Sequence, residues 1–282
     1  MNRAVLNLIW RGLFSLALLL CASVLFSLLF AIFWQGAKAI SPEFLFTPAR
    51  NFGTSGGIVF QILGSLLIVL TAATLVLPLA IGTAVYRQSY IQGARAKDML
   101  DTILYALNAI PSVTYGIFGL IFFVNILGTG LSWFVGSLIL AMMMLPTVTL
   151  ASHAAMNALP KGYAQNAAAL GLSRGEVVRL VILPQSAHGI VTGLLIALAR
   201  AIGETAPIMF IATAFSGVGL PRSLLEPVAT LPTHILALAQ QSTDAQALQN
   251  AWGASLTLVS FVIIFSALAF FARRHLTRLS PQ

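Results

Sequence analysis

Residues 102–160 contain no aspartate, glutamate, lysine or arginine, a run of 59 residues. A soluble domain carries a charge at about one residue in four, so a soluble fold could not cover its surface with a stretch like this. A helix needs about 20 apolar residues to cross the hydrocarbon core of a bilayer. The stretch is therefore long enough for two membrane spans, and Gly128-Thr129-Gly130 predicts the turn between them.

The composition of the whole chain agrees with a lipid environment. Of its 282 residues, 59% are apolar and only 8% are charged, and the mean hydropathy is +0.94. These values exclude a soluble enzyme and a disordered chain. The single cysteine, Cys21, lies in an apolar run and has no partner in the chain, which excludes a domain built on disulfides. The sequence predicts an all-α, polytopic membrane protein.

Six apolar segments predict six transmembrane helices. Two of them lie in the uncharged stretch, where Pro111 and Pro146 are expected to interrupt the helices. A long segment with Pro78 is expected to be tilted or kinked, and the segment between the last two spans, residues 216–250, is mixed with a short amphipathic piece. The spans outside the uncharged stretch cover residues 13–33, 58–85, 180–215 and 251–271.

The first apolar segment has two interpretations. Arg3 and Arg11 precede it and Ala37-Lys38-Ala39 follows it, as in a signal peptide with its cleavage site. The apolar region of a signal peptide has about 7–15 residues, whereas this one has 21. We therefore interpret it as a span that the protein retains.

The basic residues predict the orientation. With six spans, and Arg200 set apart, 11 lysines and arginines fall on the side of the two termini and three, Lys38, Arg50 and Arg222, fall on the other. Short cytoplasmic loops collect positive charge, so both termini are predicted to be cytoplasmic. No run of like charge is long enough to indicate a nucleic-acid partner.

The predicted third cytoplasmic loop, residues 158–184, has the pattern of two short helices. After Pro160, the residues Tyr163, Ala167 and Leu170 recur at helical spacing, and Gly171 is placed to end that helix. From composition alone, this loop is equally compatible with an amphipathic segment that lies on the bilayer.

The second short helix has its own start signal. Ser173 is followed three residues later by Glu176, which is the spacing of a capping box. Pro184 is expected to bound this helix before the next span begins.

The spacing of this loop resembles the coupling motif of ABC importer permeases, in which a glycine precedes Ile-x-Leu-Pro by nine residues. Here Gly171 precedes Val181-Ile182-Leu183-Pro184 by nine residues, while Gln165 and Asn166 stand where the motif has glutamate and alanine. The resemblance implies that the loop docks into an ATPase subunit. The residues it assigns to that contact are Gln165, Asn166, Ala167, Leu170, Gly171, Ser173, Arg174 and Pro184.

Arg200 and Glu204 are charged residues within an apolar segment, where each costs about 2.5–3.5 kcal/mol near the centre of a span. Four residues apart on one helix, they predict an ion pair. One interpretation is a self-satisfied pair at a helix interface. The other is an anion site, in which the guanidinium of Arg200 offers two hydrogen bonds to a crossing oxyanion and Glu204 holds it between passages.

The segment Ala199-Arg200-Ala201-Ile202-Gly203-Glu204-Thr205-Ala206-Pro207 resembles the signature of phosphate importer permeases. Residues 77–82, 109–116 and 231–232 resemble the same group, and residues 205–207 and 251–254 are similar to the PstA-type subunit rather than the PstC-type. The resemblance implies a MetI-like type I ABC importer permease of the bacterial inner membrane, with inorganic phosphate passing Arg200, Glu204 and Thr205.

Thr114 and Tyr115 are further candidates for the pathway. They follow the expected break at Pro111, where hydroxyls and freed backbone groups could line a route. The competing interpretation is that these hydroxyls bond back to the backbone of their own helix.

The resemblance also implies the partners: a PstC-type permease in a heterodimer, a dimer of the PstB-type ATPase that holds ATP–Mg, and a PstS-type external phosphate-binding protein. The chain has no Gly-x4-Gly-Lys-Ser/Thr loop, so we expect no enzyme activity, cofactor or metal in it. The expected organisation is an N-terminal helix and external loop in residues 1–56, a permease core in 57–272 with its coupling loop at 160–184, and a basic tail in 273–282.

The sequence argues against one other functional class and leaves three open. Ser55 lies in a Gly-x-Ser-Gly pattern like that of intramembrane serine proteases, but it falls in an external loop, and no histidine base sits centrally in a span. A secondary transporter could use Glu204 as a proton carrier. An importer of sulfate or molybdate and a regulatory membrane subunit are also compatible with these residues. The four histidines, His153, His188, His234 and His275, lack metal-ligand spacing and are predicted to have no site role.

Overall fold

The computed structural model describes residues 3–214, 219–241 and 243–277, and these are mostly helical. A small antiparallel hairpin, β1 (Ala49–Arg50) and β2 (Ser55–Gly56), lies between the first two long helices. The helices are α1 (Arg3–Gly36), α2 (Pro42–Phe46), α3 (Val59–Val85), α4 (Ala94–Ala109), α5 (Ser112–Gly119), α6 (Trp133–Asn157), α7 (Lys161–Ala169), α8 (Arg174–Glu176), α9 (Leu183–Ala201), α10 (Ala206–Ile211), α11 (Leu231–Gln240) and α12 (Ala245–Thr277).

Five helical segments of the described residues are long and apolar enough to cross a membrane, and each matches a predicted span. A bent pair, Ala94–Ala109 with Ser112–Ile126, supplies a sixth if it is counted as one. Glycines in the left-handed conformation, Gly128 and Gly130, end this pair, which confirms the predicted turn. The five segments are Trp10–Gly36, Val59–Tyr90, Trp133–Asn157, Arg174–Ala201 and Ala245–Ala272.

The first predicted span of the uncharged stretch is bent at Pro111, where the sequence predicts an interruption. The two arms of the bent pair meet at 89°. Proline disfavours the helical conformation of the residue before it, and Ile110 and Pro111 are both extended, with ψ of 129° and 139°. Residues 102–109 therefore belong to α4, and the interruption expected at Pro111 is confirmed.

The expected interruption at Pro146 is wrong, because α6 continues through this proline. In a helix bundle, neighbouring helices compensate for the hydrogen bond that a proline lacks. Pro146 is buried, so it has such neighbours around it.

The core lies where α3, α6, α9, α10 and α12 meet, and α6 is its centre. Small residues let α9 approach α6 closely. A Cβ added at Gly189 or Gly193 would lie 2.4 Å or 2.3 Å from the Cβ of Ala155 or Ala151 of α6. This contact fixes α9, and with it the position of Arg200 at its end.

Candidate anion pathway and coupling loop

Arg200 lies in the last turn of α9, and Glu204 lies beyond the end of that helix. The backbone N–H groups of Gly203 and Glu204 donate to the carbonyls of Arg200 and Ala201, both at 3.1 Å, in the tighter turns typical of a helix end. The expectation that the two charges share one continuous helix is therefore wrong. Pro207, in the first turn of α10, accounts for the break, because its ring cannot continue α9.

The predicted ion pair nevertheless forms. Nε of Arg200 lies 3.5 Å from Oε1 of Glu204, and the side chain of Arg200 is 51% exposed while that of Glu204 is 17% exposed. Among the described residues, no hydrogen bond uses the two terminal amino groups of this guanidinium. The pair thus positions Arg200 by one contact and leaves it donors for an oxyanion.

Two of the other pathway candidates, Thr114 and Tyr115, lie on α5. This helix packs against α10, which follows Glu204 in the chain. A Cβ at Gly116 would lie 2.9 Å from both Cα of Pro207 and Cδ2 of Phe210. Tyr115 is buried on α5, and Thr205 is half-buried beside Glu204. Thr114 is exposed on the same short helix.

The hydroxyl of Tyr115 is already used within the fold. It donates to the carbonyl of Leu107 at 2.9 Å, across the break at Pro111. Leu107 belongs to α4 and Tyr115 to α5, so this bond ties the two arms together and does not return to the helix that carries the hydroxyl.

The coupling loop has the first of its two predicted helices, α7, with the predicted end. Gly171 adopts φ of +87°, a conformation that glycine reaches at no steric cost. The N–H groups of Gly171 and Leu172 donate to the carbonyls of Ala168 and Ala167 at 3.0 and 3.3 Å, as in a glycine C-cap.

The start of the second helix is also confirmed, but its end is not. Ser173 and Glu176 form the full capping box. The helix does not stop at Pro184, because α8, a π-helical turn (Val177–Ile182) and α9 follow each other without a gap, so that Arg174–Ala201 is one helical segment. The wide π turn directly before the proline leaves room for its ring, which would otherwise meet the carbonyl of the preceding α-turn.

Most of the residues assigned to the ATPase contact are exposed. Ala167 is a buried residue of α7, while Leu170, just beyond the end of that helix, is 82% exposed although it is apolar. A leucine left in the open on a polar loop favours a protein partner at that point. The other exposed members are Gln165, Asn166, Gly171, Ser173, Arg174 and Pro184.

The structure also contains a charged cluster that the sequence analysis missed. Arg87, just beyond α3, donates from Nε and Nη2 to the two carboxylate oxygens of Asp101 on α4, both at 2.5 Å. Its Nη1 contacts Nε2 of His153 on α6, and because a guanidinium can only donate, the histidine nitrogen accepts. The cluster joins three segments that are 14 and 66 residues apart, so no short motif indicates it.

Comparison with known proteins identifies the family of this chain. Residues 77–279 match the family "Binding-protein-dependent transport system inner membrane component". The chain belongs to this family. It is thus a multi-pass permease component of the inner membrane, and the family implies a partner ATPase, where ATP is hydrolysed, and a substrate-binding protein.

Individual proteins resemble this permease along most of its length. A probable phosphate transport system permease protein PstA of Methanocaldococcus jannaschii is 34% identical over 250 residues, covering 88% of this chain and 86% of the relative. A probable ABC transporter permease protein, YqgI of Bacillus subtilis, is 30% identical over 283 residues and 95% of both chains. The crystal structure of a bacterial alginate ABC transporter matches with a TM-score of 0.65 at 16% identity, over 95% of this chain and 96% of that chain. This match shows that the two chains share a fold.

Proposed function

We propose that this permease forms one half of the translocation pathway of an ATP-driven importer of inorganic phosphate. The observation that carries the proposal is the helix Arg174–Ala201, which begins at the coupling loop and ends at Arg200. A displacement applied to the loop acts directly on the segment that holds the guanidinium. The resemblance to PstA proteins supports phosphate as the substrate.

The proposed mechanism assigns separate tasks to the two ends of that helix. The exposed surface around Leu170 and Gly171 docks into the partner ATPase, and closure of the ATPase dimer on ATP–Mg moves the loop. The other end presents Arg200 to the passing anion, with two hydrogen bonds from the guanidinium to phosphate oxygens. Glu204 competes for the same cation, so that the anion is released rather than retained.

The proposed assembly follows the PstA likeness. The partners are a PstC-type permease, a dimer of the PstB-type ATPase and a PstS-type external binding protein, and both termini of this chain face the cytoplasm. The 11-to-3 distribution of basic residues supports this orientation.

The experiment is uptake of radiolabelled phosphate into vesicles that contain this permease and its candidate partners, with and without ATP, and with sulfate as competitor. We expect uptake that requires ATP and is insensitive to sulfate. Uptake driven by a proton gradient alone would overturn the ABC mechanism, and competition by sulfate would overturn the assigned substrate.

The coupling loop is tested by Gly171→Val. A β-branched residue is strongly disfavoured at φ of +87°, so α7 cannot end in its present form and ATP hydrolysis should no longer drive uptake. Gly175→Val is the matched control, because open space surrounds Gly175 and its φ lies outside the left-handed region. Uptake per hydrolysed ATP that is equal in the two variants would contradict the role of Gly171.

A further inference from the structure

A cleft of about 300 Å³ lies where α1 ends and α12 begins, away from both Arg200 and the coupling loop. This volume is at the lower end of the range of about 300–1,000 Å³ for small-molecule sites. The cleft is lined by Gln35, Lys38, Ala245, Leu248, Gln249 and Trp252.

The base of the cleft is formed by a close crossing of the two helices. A Cβ at Gly36 would lie 2.7 Å from both the backbone oxygen of Trp252 and Cβ of Leu256. Above this crossing, Nε2 of Gln249 donates to the backbone oxygen of Lys38 at 3.5 Å. The cleft thus belongs to the only close junction, among the described residues, that joins α1 to another long helix.

The lining offers hydrogen-bond donors and one positive charge. Nζ of Lys38 donates to Oε1 of Gln35 at 3.2 Å and lies 6.0 Å from the ring centre of Trp34. Neither ion pair of the described residues includes Lys38, so its ammonium retains donors for another ligand. Gln249 and Trp252 line the same cleft.

One carboxylate lies nearby in the sequence, but it is engaged elsewhere. Oδ1 of Asp244 accepts from the backbone N–H groups of Gln246 and Ala247 at 2.8 and 3.3 Å. It therefore caps the start of α12 and is not paired with Lys38. The cleft keeps its positive charge.

The position of the cleft relative to the bilayer indicates its ligand. It lies at the end of one apolar segment, Trp10–Gly36, and at the start of another, Ala245–Ala272, where the hydrocarbon core gives way to the headgroup region. Tryptophan and lysine are typical of this boundary. A phosphate group is the anion that both the headgroups and, for the importer proposed above, the external solution would present there.

We infer that the cleft binds a phosphate group through Lys38, Gln35 and Gln249. The group is either the phosphodiester of a membrane phospholipid or free inorganic phosphate. The phospholipid source depends on the spans and the cleft alone, whereas the free-phosphate source rests on the proposed function.

The test uses the assembled complex in a maltoside detergent, which contains no phosphate, and in an Arg200→Ala background that removes the proposed pathway site. Phosphatidylglycerol is titrated in one arm, and inorganic phosphate against chloride at equal ionic strength in the other. The midpoint of thermal unfolding reports binding in both arms. Lys38→Gln is the test variant, Gln249→Leu is a second one, and Arg50→Gln is the control that removes a predicted external charge outside the cleft.

We expect at least one ligand to raise the midpoint, and Lys38→Gln to weaken its apparent affinity about tenfold, with a smaller loss in Gln249→Leu and none in Arg50→Gln. A response to phosphatidylglycerol alone identifies a lipid site, and a response to inorganic phosphate alone identifies a site for the free anion. The inference is overturned if neither ligand shifts the midpoint, or if Lys38→Gln and Arg50→Gln respond equally.

Discussion

Two arginines of this permease stand beside carboxylates, and they are held in opposite ways. Arg87 uses three of its nitrogens on Asp101 and His153, and its side chain is 16% exposed. Arg200 makes one longer contact and is 51% exposed. A guanidinium whose three nitrogens all make contacts fixes the segments around it, whereas one with two uncommitted nitrogens is available to a ligand.

The largest effect is expected from removal of the available arginine. Arg200→Ala should lower phosphate uptake at least about a hundredfold, because two charge-assisted hydrogen bonds of about 1.5–3 kcal/mol each are lost. The complex should still assemble, which co-purification of the partners would measure. Arg200→Lys should be intermediate, since an ammonium keeps the charge but not the two-pronged geometry.

Near-normal uptake by Arg200→Ala would erase the contrast between the two arginines. The Arg200–Glu204 contact would then be an ion pair that stabilises a helix end and nothing more.

The second prediction concerns Arg87, whose three nitrogens all make contacts. Arg87→Ala leaves the partly buried carboxylate of Asp101 without its partner, which costs about 1–3 kcal/mol for a desolvated group. We expect a lower unfolding midpoint and less assembled complex, with uptake per assembled complex within about twofold of the wild type.

The control for this variant is the exchange Arg87→Asp with Asp101→Arg, which should recover part of the lost stability. If uptake per assembled complex instead falls as far as in Arg200→Ala, Arg87 belongs to the transport pathway and the two arginines do not differ in role.

The third prediction separates the two carboxylates. Glu204→Gln removes the competitor of the anion, so phosphate should bind more tightly to Arg200 and leave more slowly, and maximal uptake should fall several-fold. The dependence of uptake rate on phosphate concentration measures both effects. A proton carrier at this position would instead lose coupling to pH, so an altered pH profile with unchanged apparent affinity would contradict the anion site.

The smallest effect is expected from a comparison of two histidines, one with a hydrogen-bond partner and one whose buried nitrogen has none among the described residues. His153 has a partner in Arg87, but Nε2 of His234 is buried with none among the described residues. Burial lowers the pKa of His234 to about 4, from an ordinary value near 6.5. As the pH falls, the unfolded chain therefore binds a proton at this histidine before the folded chain does. The contribution to stability is fully present above about pH 6.5 and is lost as the pH falls toward 4.

We expect the unfolding midpoint of the wild type to decline over this range and that of His234→Phe to decline less. His188→Gln is the control. Equal slopes in the wild type and His234→Phe would show that other groups dominate the acid response.

Features that depend on local chemistry were predictable from the sequence. Gly171 ends α7 because glycine alone adopts its conformation freely, and Ser173 with Glu176 starts the next helix through two hydrogen bonds of their own. Gly128 and Gly130 form their turn for the same reason. The apolar segments were found because their length matches the bilayer, which requires no knowledge of their neighbours.

Features that depend on distant contacts were not predictable. Pro146 lies within a helix and Pro184 follows a π turn, and in both places the surroundings decide what a proline does. The proline predicts the interruption at Pro111 but not its 89° angle. The partners of Arg87 come from two other helices, and a sequence pattern records no such meeting.

Because of the right angle at Pro111, α4 stands as a lever arm on α5. α4 has 16 residues, so at 1.5 Å per residue it is an arm of about 24 Å, set perpendicular to the axis of α5. A sideways swing of this arm turns α5 about its own long axis instead of pushing it along the membrane normal. Asp101 lies on the arm and is held by Arg87, so the same contact that stabilises the fold also fixes this arm against the end of α3.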